Sequence, residues 1–132
     1  MRASDAQLYD NFGSAVAIAG DSLVVGAPYE DGGPGDPSPG AGAAYVFQRN
    51  QGGADAWGQV RRLHNNDSLT GMYFGSAVAI SGNTLVSGDL WGGVGWAYTG
   101  EAIIFTLQDG WEPDPLPTPP EAQPGDLFGS VA

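Results

Sequence analysis

Few residues in this chain can do chemistry, and their types narrow what that chemistry could be. There is one histidine, His64, and no cysteine, so thiolate catalysis, disulfides and cysteine-ligated zinc are excluded. His64 stands beside Asn65 and Asn66 with no serine or carboxylate in a recognisable motif around it, and it reads as an exposed residue at a strand end. Nucleophile elbows, phosphate loops and paired-histidine zinc motifs do not occur. Carboxylates are plentiful. Fifteen Asp and Glu face four cationic residues, Arg2, Arg49, Arg61 and Arg62, for a net charge of −11. A surface this acidic repels a phosphate backbone, so no nucleic-acid partner is expected. Carboxylate pairs of the glycosidase kind converge in space, and sequence spacing neither supports nor removes them.

Two segments hold the remaining candidates. Tyr29 to Ala41 carries Glu30, Asp31 and Asp36 among glycines and prolines. They are weak metal candidates, because their spacing matches no established cation loop, and the segment reads as a solvated surface loop. The stretch DLWGGVGWAYTG, Asp89 to Gly100, offers Trp91, Trp96 and Tyr98 as ligand-binding candidates. These rings either form a stacking platform for a sugar or peptide or cover the end of a hydrophobic core.

The elements that must position these residues come from an internal repeat. FGSAVAIAGDSLVVG, Phe12 to Gly26, returns as FGSAVAISGNTLVSG, Phe74 to Gly88, with eleven of fifteen positions identical at a period of 62. Trp57 and Trp111 each stand 17 residues before the next Phe-Gly, and a third Phe-Gly, Phe128-Gly129, begins another copy. The expected units are 1–11, the tail of a preceding repeat; 12–73 and 74–127, two whole repeats; and 128–132, the start of a third. Each repeat reads as four short strands. In the first they are Ser14 to Ile18, Leu23 to Gly26, Ala43 to Gln48, and Trp57 to Leu63. In the last of these Trp57, Val60 and Leu63 supply the apolar side, and Arg61 and Arg62 part of the wet side. The second repeat copies three of them as Ser76 to Ile80, Leu85 to Gly88 and Ala102 to Thr106. Its fourth falls in WEPDPLPTPPEAQPG, where each proline removes a ladder donor.

The class is therefore all-β: two four-stranded antiparallel blades of an incomplete β-propeller, the second with a degraded, Pro-rich fourth strand. A blade needs a neighbour on each side to bury its faces. Trp57, Trp111, Phe12, Phe74 and Phe128 are expected in packing positions, with Gly13, Gly75 and Gly129 allowing a bend or close backbone approach.

Phe12-Gly13 followed by Gly26-Ala27-Pro28 resembles the FG-GAP repeat of integrin-α-like propellers, in its bacterial form. VVGAPYEDGG, GAAYVFQR and AWGQVRRL carry the likeness. In the second repeat Ser87-Gly88-Asp89-Leu90 replaces the Gly-Ala-Pro sequence. The resemblance implies a non-enzymatic protein-interaction or adhesion scaffold, extracellular or at the cell surface, with a carbohydrate-binding or carbohydrate-active propeller using Trp91 and Trp96 as the alternative. It also implies a calcium loop between the first two strands. Only Ala19 to Ser22 and Ser81 to Thr84 lie there, too few oxygen ligands for calcium, so no cofactor is expected. The partner, protein or glycan, is not identified. Further blades are expected in a longer protein, and the isolated segment is expected to self-associate. No run of 18 apolar residues could span a membrane, and MRASDAQLYD lacks the apolar stretch of a signal peptide.

Overall fold

The computed structural model describes residues 1–31, 40–64, 72–91, 100–106 and 112–114. Eight strands run in chain order: β1 (Ala15–Ala19), β2 (Ser22–Ala27), β3 (Ala43–Arg49), β4 (Trp57–Leu63), β5 (Ala77–Ser81), β6 (Thr84–Asp89), β7 (Glu101–Thr106) and β8 (Glu112–Asp114). They form two four-stranded antiparallel sheets, β1-β2-β3-β4 and β5-β6-β7-β8, and no helix occurs among the described residues. Each sheet is thus a meander of the kind a propeller blade uses.

The repeated Gly in Ala-Gly-Asp and Ser-Gly-Asn sets the first turn of each sheet. Ala19 pairs with Ser22 and Ser81 with Thr84, leaving two-residue turns at Gly20-Asp21 and Gly82-Asn83. Gly20 and Gly82 have φ of 54° and 55°, while the residue after each does not enter the positive region. Glycine at the first central position is what such a turn requires to match the strand twist. At the other end of the second sheet, β8 is three residues long and sets Pro113 opposite Phe105. As an edge strand it tolerates the missing donor.

Strand alternation divides each sheet into two faces. In the first sheet Val16, Ile18, Leu23, Val25, Tyr45 and Phe47 share one face, and Ala15, Ala17, Val24, Ala44 and Val46 share the other. The second face packs against the second sheet. There Val24, Ala44, Val46 and Leu63 meet Phe74, Val78, Leu85, Ile103 and Phe105 in one buried cluster. The opposite face holds a second cluster, Ala3, Val25, Ala27, Ala43, Tyr45 and Phe47, with Phe12, Leu23 and Trp57 packed around it.

Strand β4 departs from the sequence expectation. Residues spaced by three cannot share a face of a regular strand, and the structure resolves the conflict with a bulge. Val46 pairs with Arg61 but Phe47 pairs with Gln59, so Val60 is an extra residue. The bulge turns Leu63 into the junction between the sheets, leaves Val60 exposed, and carries Arg62 to the face of Tyr45. Arg62 is therefore not on a wet side; it enters a buried polar group.

Candidate functional site

Two arrangements bring the singled-out residues together. The first is the joint between the sheets, where the Phe-Gly of the second repeat is held by the first repeat's glycines. Phe74 N donates to Ala41 O at 3.0 Å and Tyr73 N to Gly40 O at 2.9 Å, and Gly42 forms an isolated parallel bridge with Phe74. A Cβ on Gly26 would collide with the Gly75 carbonyl oxygen, one on Gly42 with the Phe74 backbone, and one on Gly75 with Ala43 O. Gly75 also has φ of 86°, a conformation that disfavours any side chain. Two peptide backbones thus touch where side chains would hold them apart, and Phe74 drops fully buried beside Phe105, ring centroids 5.9 Å apart. Within each sheet the same bonds close the motif: Gly13 N donates to Gly26 O and Gly75 N to Gly88 O, both at 3.0 Å. Tyr29 N donates to Asp10 O at 3.3 Å, and Trp91 N to Met72 O at 3.2 Å, so the diverged Gly88-Asp89-Leu90 turn keeps the geometry of Gly26-Ala27-Pro28.

The second arrangement is a polar cluster on the first sheet. Tyr45 lies in an apolar strand, fully buried, and its hydroxyl needs a partner there. It finds two, with Oη 2.8 Å from Asp5 Oδ1 and 3.0 Å from Glu30 Oε2, so one phenolic proton is offered to two carboxylates. Arg62 supplies the balancing charge. Its Nε is 3.0 Å from Asp5 Oδ2, an ion contact without the alignment of a hydrogen bond, and its Nη2 is 3.7 Å from Glu30 Oε1. Burial, and next the hydrogen bond to Asp5, push the Tyr45 hydroxyl far above the usual tyrosine range. The cluster holds the N-terminal segment against β3 and β4, helped by Ser4 N on Gln59 Oε1 at 3.0 Å and Gln7 Nε2 on Asp31 Oδ1 at 2.8 Å.

The candidate loop residues separate accordingly. Glu30, expected in a solvated loop, is fully buried, because Tyr45 and Arg62 occupy its carboxylate and its own N–H and C=O bond Ala27 O and Gly42 N. Asp31 is part-exposed and contacts Gln7. Asp36, Trp96, Tyr98, Trp111, Phe128 and Gly129 lie outside the described residues. Trp91 is half-buried, with its backbone N–H also 3.3 Å from Asp89 Oδ1. Trp57 is half-buried, under the Arg49 guanidinium at 5.2 Å. The position of an integrin-type calcium loop holds the turn Gly20-Asp21, and Asp21 Oδ1 is 3.0 Å from Arg49 Nε. Among the described residues no group of three metal-ligating side chains gathers, and none of the described helical segments could span a membrane, since there are none.

The sequence reading missed the Asp5–Glu30–Tyr45–Arg62 group. A signal for it existed: Tyr45 is the one hydroxyl-bearing residue in the AAYVF strand, and the matching position in the second sheet is Ile103, since Val25 pairs with Tyr45 and Ser87 with Ile103.

Paired four-stranded meanders, joined through a Phe-Gly seated on glycines of the preceding unit, define a β-propeller-like repeat domain. The FG-GAP repeat family matches residues 1–47 and again 57–105, and the chain belongs to that family. A search of curated proteins gives no match.

Proposed function

We propose that this chain is part of a non-enzymatic protein-interaction scaffold, of adhesion type and facing the outside of the cell, that meets its partner through the segments following β2 and β6. The observation carrying this reading is the contrast between the repeated hydrogen bonds that close both sheets and the residues that leave them. The scaffold bonds recur at equivalent positions, yet Pro28-Tyr29-Glu30-Asp31 leaves the end of β2 and Leu90-Trp91 the end of β6. Variable connections on a fixed scaffold are where binding specificity resides. A non-catalytic role is also supported by Asp5 and Glu30, which meet in space but are engaged by Tyr45 and Arg62. Family membership supports the extracellular setting.

The test is a binding screen against purified secreted and cell-surface proteins, run beside a glycan array and a glycosidase panel. Binding to a protein that weakens in Trp91→Ala and disappears when residues 32–39 are replaced by a Gly-Ser linker supports the proposal. Glycan binding lost in Trp91→Ala would replace it with a carbohydrate-binding reading, and hydrolysis lost in Glu30→Gln would overturn the non-enzymatic role.

A further inference from the structure

The two copies of the repeat carry the same residues on their first strands but do not bury them equally. Val78 of β5 is 9% exposed and Ile80 is half-buried, because the Ala15, Ala17 and Val24 face of the first sheet covers them. Their counterparts Val16 and Ile18 on β1 are 63% and 62% exposed. Nothing lies within 4 Å of a Cβ built on Gly13, whereas the equivalent Gly75 is pressed against Ala27 and Ala43. The first sheet thus presents an acceptor surface whose occupied form is visible elsewhere in the same molecule. The covering face is visible too. Its equivalents on the second sheet are Ala79, exposed, and Val86, Ala102 and Ile104, half-buried, where Ala17, Val24, Ala44 and Val46 of the first sheet are packed.

We propose that the acceptor surface Val16–Ile18 of one chain docks the Ala79–Val86–Ile104 face of a second copy, repeating between molecules the joint that exists within each. The occupant is argued from that joint, since one chain carries both halves of a contact whose geometry and residue types are already realised between β1 and β5. The contact is heterologous, each copy using one surface as acceptor and the other as donor, so it closes only as a ring. The net charge of −11 on each copy opposes the approach, so association strengthens as salt screens it.

Light-scattering mass measurement of the 132-residue chain across two decades of concentration, at low and high NaCl, tests this. The expected result is a species of at least two copies that grows with concentration and salt. Ile18→Asp removes the acceptor and Ala79→Glu the donor; each alone weakens association by about tenfold or more. Mixing the two variants restores a two-copy complex, because one intact surface of each kind remains, and a misfolded variant could not do this. Val60→Asp, an exposed position on the outer strand β4, leaves association unchanged. A wild-type chain that stays a monomer at every concentration and salt overturns the proposal, as would a segment of the same chain covering Ile18. Association unaffected by both variants, or variants that fail to complement each other, also overturns it.

Discussion

The stretch from Phe12 to Ile18 and the stretch from Phe74 to Ile80 have the same sequence, FGSAVAI, and the same local structure, yet they occupy different environments. Each makes the glycine-to-glycine bond back to its own second strand, and each sets its phenylalanine edge-on to the equivalent ring of the third strand, at 6.0 Å for Phe12–Phe47 and 5.9 Å for Phe74–Phe105. Both copies meet at the joint between the sheets, but only the second lays its Phe and its Val-Ile side against the other sheet, while the first contributes Ala15 and Ala17. The second copy's Phe is fully buried and its Gly crowded, while the first copy's Phe is half-buried and its Gly open. The local fold of a repeat is therefore fixed by its own residues, and most of the burial of its first strand is supplied by the neighbour.

Matched substitutions in the two copies turn that contrast into numbers. Phe74→Ala should destabilise the chain by about 3–5 kcal/mol, as removing a fully packed aromatic does, and Phe12→Ala by less than about half of that. Denaturant midpoints checked against unchanged slopes would show it; equal losses would mean that the two environments are energetically the same. A smaller gap is expected between Gly75→Ala and Gly13→Ala. Both place a side chain at positive φ, a cost of about 1–2 kcal/mol, but only Gly75→Ala adds a collision with Ala43 O, so it should cost about 2 kcal/mol more. Thermal melts of the pair decide this.

The smallest effect concerns the polar group that the first sheet has and the second replaces at Ile103. Tyr45→Phe should cost about 1–2 kcal/mol at neutral pH by leaving Asp5 and Glu30 without the phenolic donor. It should also change the alkaline behaviour. Because the folded chain holds the Tyr45 proton above the pH near 10 at which an unfolded tyrosine ionises, its contribution is complete below about pH 10 and is lost as pH rises beyond it. Stability measured from pH 8 to pH 12 should fall more steeply for the native chain than for Tyr45→Phe, and parallel curves would remove the cluster's role.

The strands, hairpins and repeat were legible because their signals are local. Alternation in AVAIA and AAYVF, a glycine at the first turn position, and prolines crowding one stretch each act within a few residues. The candidate site was legible in part. Phe74 and Gly75 announced close packing through their type, but Glu30 could not be separated from Asp31 by sequence, since both sit among glycines after the same turn. What separates them is the distance to Tyr45 and Arg62, 15 and 32 positions along the chain.

The sequence by itself thus determined two four-stranded units and the kind of joint between them, because a 62-residue repeat of apolar alternation and turn glycines leaves the backbone little choice. Tertiary structure decided which of two copies of the AVAI strand buries its Val and Ile, and which carboxylate is paired with an arginine rather than with water. It also decided, through one extra residue at Val60, that Arg62 and not Arg61 faces Tyr45. Burial and charge pairing depend on surfaces brought together from distant parts of the chain, and the free energy of desolvating a strand or a carboxylate is set by those surfaces and not by the residues next to it.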